Sequence, residues 1–270
     1  MPAAAPNATA LRTVLIGATG RMGLALLRGA PAFPRLAMSA AIASPGSAAQ
    51  GRDAAELAGL QPSGVRVSAD LAAALADADV AIDFSTAGAT RANLAACRAA
   101  RVPLVLCATG YPPALETEFA AAAREIPLLV APNTSVAVTL MTELVRVAAR
   151  SLRGFDIDIL DIHHRGKRDA PSGTALALGE AAREGRAAAG AQPDRAGGLP
   201  GREIAFESVR AGDAVGEHSV LFSGPGEQLS LTHRASDRSI YAAGALAAAL
   251  WLASQPAGRY GMGDVLGLKQ

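Results

Sequence analysis

Thr13-Val14-Leu15-Ile16-Gly17-Ala18-Thr19-Gly20-Arg21-Met22-Gly23 is the stretch on which the fold turns. The first four residues read as a buried strand, and the next seven as a glycine-rich turn opening a helix that runs to about Arg28. A strand, a Gly-x-x-Gly-x-x-Gly turn and a helix within the first thirty or so residues give a glycine fingerprint its meaning. Glycines there let the backbone approach a pyrophosphate, whose charge rests on the amides of the helix N-terminus. Thr19 stands where the commonest form of the motif has its second glycine. Gly17, Gly20 and Gly23 therefore mark this turn as a candidate nucleotide site.

Outward from this stretch the same rhythm continues. Leu36–Ala43, Val65–Val67, Val80–Asp83, Leu104–Cys107 and Leu128–Val130 read as further strands, with helices over Ala87–Ala100 and Pro113–Arg124. Apolar strands alternating with helices imply a parallel sheet covered on both faces, a Rossmann-type domain. After Asn133 the pattern changes. A long helix, Val136–Leu152, leads to a strand, Phe155–His163, and another helix begins near Gly173. Three β-like runs follow, Arg202–Arg210, Glu217–Phe222 and Gln228–Thr232, with turns at Ala211–Asp213 and Gly224–Gly226. Consecutive strands with tight turns predict an antiparallel or mixed sheet. The expected fold is α/β, with a nucleotide-binding domain from residues 1–134 and 240–270. A last Ala-rich helix, Ile240–Ala253, completes it, and residues 135–239 form an α+β domain for substrate and oligomerisation.

Bulk properties exclude several classes. The chain has 270 residues, half of them hydrophobic, and a formal net charge of +1, so nothing drives general binding to nucleic acid or to a membrane surface. No apolar run approaches the roughly 20 residues that span a bilayer. Met1–Ala10 lacks the pattern of a signal peptide and reads as a frayed leader, and Gln192–Gly201 is a Gly/Pro-rich loop. The two cysteines, Cys97 and Cys107, lie in apolar contexts without zinc spacing and read as buried thiols of a reducing cytosol.

The chemistry concentrates in His163-His164-Arg165-Gly166-Lys167-Arg168-Asp169-Ala170-Pro171-Ser172-Gly173-Thr174. Adjacent side chains on a strand point to opposite faces, so both imidazoles reach one site only if the chain turns at once, and Gly166 permits that. Ser172 is a candidate N-cap, and the amides of Gly173 and Thr174 then form an anion site. Two imidazoles, an ammonium and a helix start suit the reduction of a small carboxylated imine, which needs its acid fixed and a proton delivered. Lys167 and Lys269 are the chain's lysines among many arginines, which marks Lys167 as a wanted titratable amine. A metal site is not expected, because neighbouring histidines diverge and no third ligand stands near in sequence. Nor do Arg165, Lys167 and Arg168 carry the interleaved aromatics of a nucleic-acid site.

In these residues the chain resembles the 4-hydroxy-tetrahydrodipicolinate reductase (dihydrodipicolinate reductase) family, whose hallmark His-His-x-x-Lys-x-Asp-Ala-Pro-Ser-Gly-Thr-Ala is matched from His163 to Ala175. Further matches are Gly20–Gly23, Asp83–Thr86, Thr109-Gly110, Val209–Asp213, Gly216–His218 and Thr232–Ser236. The resemblance implies His163 as proton donor and acceptor, Lys167 as proton donor, and His164, Gly173 and Thr174 as binders of the substrate dicarboxylate. It implies cofactor contacts from Gly17 to Met22, from Cys107, Ala108 and Thr109, and from Ala131, Pro132, Asn133 and Thr134. It also implies a cytoplasmic homotetramer that reduces its cyclic substrate to tetrahydrodipicolinate with NADPH or NADH. Cys107-Ala108 departs from the family's usual Gly-Thr, which leaves the effect of the larger Cys on cofactor affinity open. Ala43-Ser44 stands where many members have an acid and often an arginine. An acid about 20 residues beyond the glycines usually holds the NAD ribose; without one before Asp53, the reading leans to NADPH, with Ser44 and Arg21 as contacts for its phosphate. Two other readings remain open: a reductase of another imine or amino acid, such as an aspartate dehydrogenase-like enzyme, and a non-catalytic NADP-binding regulator, which leaves His163–Thr174 unexplained. Turnover on the dipicolinate-type substrate separates them.

Overall fold

The computed structural model describes residues 10–189 and 204–268. The expected loop at Gln192–Gly201 and the leader, save Ala10, lie outside the described residues, as do the first two residues of the strand expected from Arg202. The chain forms two compact units, Met1–Ser135 with Ser239–Gln270, and Val136–Arg238.

Seven strands of the first unit form one parallel sheet. In chain order they are β1 (Leu11–Ile16), β2 (Leu36–Ile42), β3 (Val67–Ser68), β4 (Val80–Asp83), β5 (Leu104–Leu106), β6 (Pro127–Val130) and, after the second unit, a strand at Gly258–Tyr260. That last strand pairs in parallel with β6 at the sheet edge. It is too short and too polar to stand out by periodicity, and no strand is expected there from sequence. The order from the other edge is β3, β2, β1, β4, β5, β6. Strand order reverses between β1 and β4, and ligands of open α/β sheets bind at the C-terminal ends of the strands at such a switch. The strands are apolar along their whole length because both faces are covered: Val14, Leu15, Val80, Ile82, Leu104 and Leu128 are fully buried. Helix α1 (Arg21–Gly29) covers one face together with the Ala-rich C-terminal helix Ser239–Leu252. Helices α2 (Ala54–Leu57), α3 (Leu71–Leu75), α4 (Thr90–Ala100) and α5 (Leu115–Ala122) lie between β2 and β6 in the chain.

Among the described residues, the second unit has four strands and two long helices. Strand β7 (Asp156–His163) lies between β8 (Ala205–Arg210), parallel to it, and β9 (Gly216–Gly224), antiparallel; β10 (Glu227–Ala235) pairs with β9. The sheet is mixed, as the sequence implies. The Ala211–Asp213 turn does not close a hairpin between its flanking strands, however. It carries the chain across the end of β7, which sits between β8 and β9. Ala211 donates from its amide to the His163 carbonyl at 2.9 Å, and Arg165 donates to the Gly212 carbonyl at 3.2 Å, so the crossing is bonded to the end of β7.

One face of β7 carries Ile157 and Ile159, which pack under two further helices, α6 (Val136–Ser151) and α7 (Gly173–Ala188). The next two residues on that face, by the two-residue period of a strand, are Asp161 and His163. Both are buried. The core of this unit therefore turns from aliphatic to ionisable within one strand. Among the described residues, no helix is long and apolar enough to cross a membrane.

Candidate active site

The glycine turn has the geometry its sequence implies. Gly17 adopts a φ of 82°, in the left-handed region, and a β-carbon there would meet the Phe84 carbonyl oxygen at 2.7 Å. At Gly23 a β-carbon would lie 2.3 Å from the Gly17 carbonyl oxygen, so α1 can start this close to the strand only with glycine. Gly20 is different: a β-carbon there would meet the Gly17 carbonyl oxygen at 3.3 Å, its sole neighbour within 4 Å among the described residues. Gly17 and Gly23 serve the turn itself, and Gly20 leaves its outer side open. No side chain among the described residues caps α1 at Gly20, so its first amides are offered outward, where an anion is stabilised by the helix end. Ala18 is buried, while Thr19 and Met22 are half-buried and Arg21 is exposed at the helix start.

Around this turn the other expected cofactor residues fall at the ends of β2, β5 and β6. Ser44 is exposed, and the Gln50 side-chain amide donates to its carbonyl at 2.8 Å. Asp53, the first acid after β2, is fully engaged: it accepts from the amides of Ala55, Glu56, Ser63 and Gly64. Burial opposes its ionisation, but those amides outweigh it and hold its carboxyl below the ordinary range. Asp53 is thus a structural cap with no carboxylate oxygen left over for a ribose.

Cys107 is a buried thiol, as expected from its sequence context. Its side chain is buried in the core beneath the loop, and burial, then the Asp83 charge, push its thiol well above the ordinary range. The Cys107 side chain packs in the hydrophobic core of the first unit. Ala108 is buried and Thr109 exposed. Ala131 is buried and donates to the Leu106 carbonyl, and Pro132 is exposed. Asn133 accepts from the Ser135 amide through its side chain at 2.9 Å. Thr134 is buried, its hydroxyl donating to the Tyr241 carbonyl at 2.6 Å, so its side chain ties this loop to the C-terminal helix.

In the second unit the register of four strands builds a polar row. Ser208 on β8 pairs with Asp161 on β7, Asp161 with His218 on β9, and His218 with His233 on β10. One step along, Arg210 pairs with His163. Asp161 is the hub. Its Oδ2 accepts from the Ser172 amide at 2.8 Å and from the Arg210 guanidinium at 2.8 Å. Its Oδ1 stands 3.0 Å from His163 Nδ1 and 3.4 Å from His218 Nε2. Burial alone would raise this carboxyl, but Arg210, Ser172 and the His163 charge hold it at about 2. His218 Nε2 also meets the Ser172 hydroxyl at 3.2 Å. Burial, then the neighbouring His163 charge, depress the His218 imidazole to about 4, so it is neutral at physiological pH.

His163 is buried within this row. Burial lowers its pKa, Asp161 pulls it back up, and Lys167 and Arg210 push it down again; the net direction is down. Its ring lies edge-on to His218 with centroids 5.1 Å apart. A β-carbon at residue 216 would lie 3.0 Å from His163 Nε2, so glycine there keeps that nitrogen clear. After His163 the chain turns at once, as expected, with Lys167 donating from its amide to the His164 carbonyl at 3.1 Å. His164 is half-buried and packs its ring against Gly166. Lys167 Nζ pairs with Asp169 at 2.9 Å. Ser172 caps α7, its hydroxyl accepting from the Ala175 amide at 3.2 Å. Gly173 is exposed, with open space where a side chain would begin, and Thr174 follows it in the first turn. The loop therefore brings a buried imidazole, an ammonium and the start of a sixteen-residue helix to one end of β7.

Asp161, Arg210, His218 and Ser172 as partners of His163 are not assigned from sequence, although the Asp161-x-His163 spacing is a readable signal. The structure also corrects the expectation that no third ligand stands near the histidines. Asp161, His163 and His218 place one ligand atom each within 4.8 Å of one another. These come from the strand period and from the neighbouring strand, not from sequence adjacency. A dication there would meet a carboxylate already neutralised by Arg210 at 2.8 Å and further repulsion from Lys167, so no metal is assigned to the row.

A parallel sheet with a glycine turn at its switch point, joined in one chain to a buried acid–base row beside a helix start, defines a Rossmann-type, nucleotide-dependent oxidoreductase. Two family models divide the chain: Dihydrodipicolinate reductase, N-terminus, matches residues 11–134, and Dihydrodipicolinate reductase, C-terminus, matches residues 137–266. The 4-hydroxy-tetrahydrodipicolinate reductase of Anaeromyxobacter dehalogenans is 49% identical over 265 residues, covering 96% of this chain and 98% of the relative. The chain belongs to the dihydrodipicolinate reductase family. The enzyme of the same description from Alkalilimnicola ehrlichii is 47% identical over 264 residues, covering 95% of this chain and 99% of the relative. Among solved structures, dipicolinate-bound dihydrodipicolinate reductase from Paenisporosarcina sp. TG-14 shares the fold with a TM-score of 0.76. Identity there is 20%, over 94% of this chain and 98% of that one.

Proposed function

We propose that this protein reduces 4-hydroxy-tetrahydrodipicolinate to tetrahydrodipicolinate in diaminopimelate and lysine biosynthesis, using NAD(P)H. The observation that carries the reading is the convergence of His163, Lys167 and the α7 start on one end of β7, in a chain of this family. The glycine turn fits a dinucleotide: its tight positions are filled by Gly17 and Gly23, and the α1 start lacks a side-chain cap. A reduced nicotinamide bound by this unit supplies the hydride.

The chain's own residues do the rest. His164 and the backbone at Gly173 and Thr174 hold the substrate dicarboxylate, with the α7 dipole favouring negative charge at its N-terminus. In net balance the 4-hydroxyl leaves as water, taking one proton, and the hydride takes its place at that carbon. Lys167 delivers the proton from its ammonium, and His163 exchanges a proton at the nitrogen that faces Gly216. General acid–base help of this kind is worth roughly 10²–10⁴-fold in rate. For the nucleotide, Gly17 to Met22, Ser44, Cys107 to Thr109 and Ala131 to Thr134 supply the contacts, mostly through backbone.

NADPH is the preferred reductant on this reading. No free carboxylate among the described residues at the end of β2 accepts a ribose hydroxyl or repels a phosphate, since Asp53 is used elsewhere, while Ser44 and Arg21 are exposed to meet one. The assembly is a homotetramer built on the four-stranded sheet, consistent with Val209 on β8 and Leu229 on β10 standing more than 40% exposed. The test generates the substrate in situ with dihydrodipicolinate synthase and follows nicotinamide absorbance. Turnover with a lower KM for NADPH supports the reading; no turnover with either nucleotide refutes it.

A further inference from the structure

Asp161 has no part in the proton transfer assigned above, yet its carboxylate holds both halves of the site. Through Oδ2 it accepts from the Ser172 amide and so fixes the residue that caps the anion-binding end of α7. Arg210 strengthens that hold. It donates to Asp161 Oδ2 at 2.8 Å, to the Asp161 carbonyl at 2.8 Å and to the Asp169 carbonyl at 2.7 Å, closing the loop between β7 and α7 from outside. Oδ1 is left, and neither it nor His163 Nδ1 has a well-aligned hydrogen bond among the described residues. These two buried atoms face each other at 3.0 Å. A buried donor and acceptor without other partners are strongly driven to pair, and such contacts tighten when substrate closes over a site.

We infer that Asp161 is a positioning residue for His163: it holds the imidazole proton on Nδ1 and leaves Nε2 bare toward Gly216 and the substrate. The neutral ring is then configured to accept a proton at Nε2, and it donates there only as imidazolium. Lys167 is accordingly the resident donor of the pair. The tautomer is set by the hydrogen bond on the far side of the ring, as in other acid–base histidines. The groups that face His163 are Asp161 on its own strand, Arg210 on β8, His218 on β9, and Lys167 and Asp169 in the following loop. Arg210 engages the other carboxylate oxygen, so the charge on Oδ1 is only partly spent.

This inference rests on the role proposed for His163, and two measurements separate them. Nitrogen NMR of the imidazoles in the unaltered protein, which has four histidines, reads the tautomer without any kinetics. A neutral His163 protonated on Nδ1 is expected, and one protonated on Nε2 overturns the inference. The second measurement compares pH profiles of kcat. His163→Gln identifies the limb that belongs to His163; if activity and limb both survive, the role of His163 itself fails. Asp161→Asn keeps an oxygen for the Ser172 amide but removes the charge. It is expected to lower kcat about 10–100-fold, less than loss of His163, with KM nearly kept and the His163 limb moved to lower pH. A merely structural residue would leave that limb in place, and an unmoved limb in a folded Asp161→Asn protein overturns the inference while leaving His163 intact.

Discussion

Replacing Arg210 with methionine removes the guanidinium and keeps much of the apolar stem. Arg210 spans three acceptors on β7 and the loop after it: the Asp161 carboxylate, the Asp161 carbonyl and the Asp169 carbonyl. Asp161 is wholly buried and the Arg210 side chain is 16% exposed. Breaking a buried pair by deleting one partner costs about 3–5 kcal/mol, because the other charge stays buried and uncompensated. Ser172 still donates to Asp161, and the partial exposure of Arg210 admits some water, so about 2–4 kcal/mol is the expected loss. That corresponds to a fall in Tm of roughly 5–15 °C. The pH dependence follows from the sign of the Asp161 shift. Its folded pKa, about 2, lies below the ordinary aspartate value of 3.8. Its contribution is therefore present above the higher value and lost as pH falls through the lower one. Without Arg210 that carboxyl loses the largest of the groups that lower it and its pKa rises, so the variant gains less from ionising Asp161 as pH rises. The Tm gap between the two proteins should be wide at neutral pH and narrow toward a pH of about 3, within the carboxylate range. Differential scanning calorimetry across that range measures it. A gap that is absent at neutral pH, or constant with pH, would refute the reasoning about the buried pair.

Three further outcomes are expected. Gly23→Ala forces a β-carbon toward the Gly17 carbonyl oxygen, 2.3 Å away. Overpacking of this kind costs about 1–3 kcal/mol, so nucleotide Kd, measured by fluorescence titration, should rise about 10-fold or more. Cys97, pushed up to about 12 by burial and then the Asp83 charge, and Cys107, raised for the same reasons, should resist a thiol reagent at neutral pH in the folded protein. Both should react on unfolding; fast labelling of folded Cys107 would contradict its inward orientation. Lys167→Arg keeps the charge beside Asp169 but cannot release a proton near neutrality. Its kcat in the coupled assay should fall at least about 10-fold, and full activity would reduce Lys167 to a point charge.

Much of the fold is legible in the sequence because its signals are local. The β4 strand is readable with its true bounds and β1 to within two residues, because buried parallel strands are continuous apolar runs. The glycine turn is legible for the same reason, and Ser172 as a cap follows from its place before Gly173. Non-local features are not. The edge strand at Gly258–Tyr260 exists because β6 offers an open edge, which no residue within it announces. The parallel pairing of β7 with β8 is hidden by a turn at Ala211–Asp213 that looks like a hairpin and is a crossing. The Asp161 row is assembled from four strands, and register across strands cannot be read from one of them. His163 and Lys167 are visible as chemistry, whereas what orients them is not.

The proposed nicotinamide-dependent reduction takes its proton chemistry from the end of β7. His163→Gln tests it in the coupled assay, with nucleotide binding measured alongside by titration. The expected result is a kcat lower by roughly 10²–10⁴-fold with nucleotide Kd unchanged, since Gly17–Met22 lie in the other unit. An unchanged kcat would contradict it.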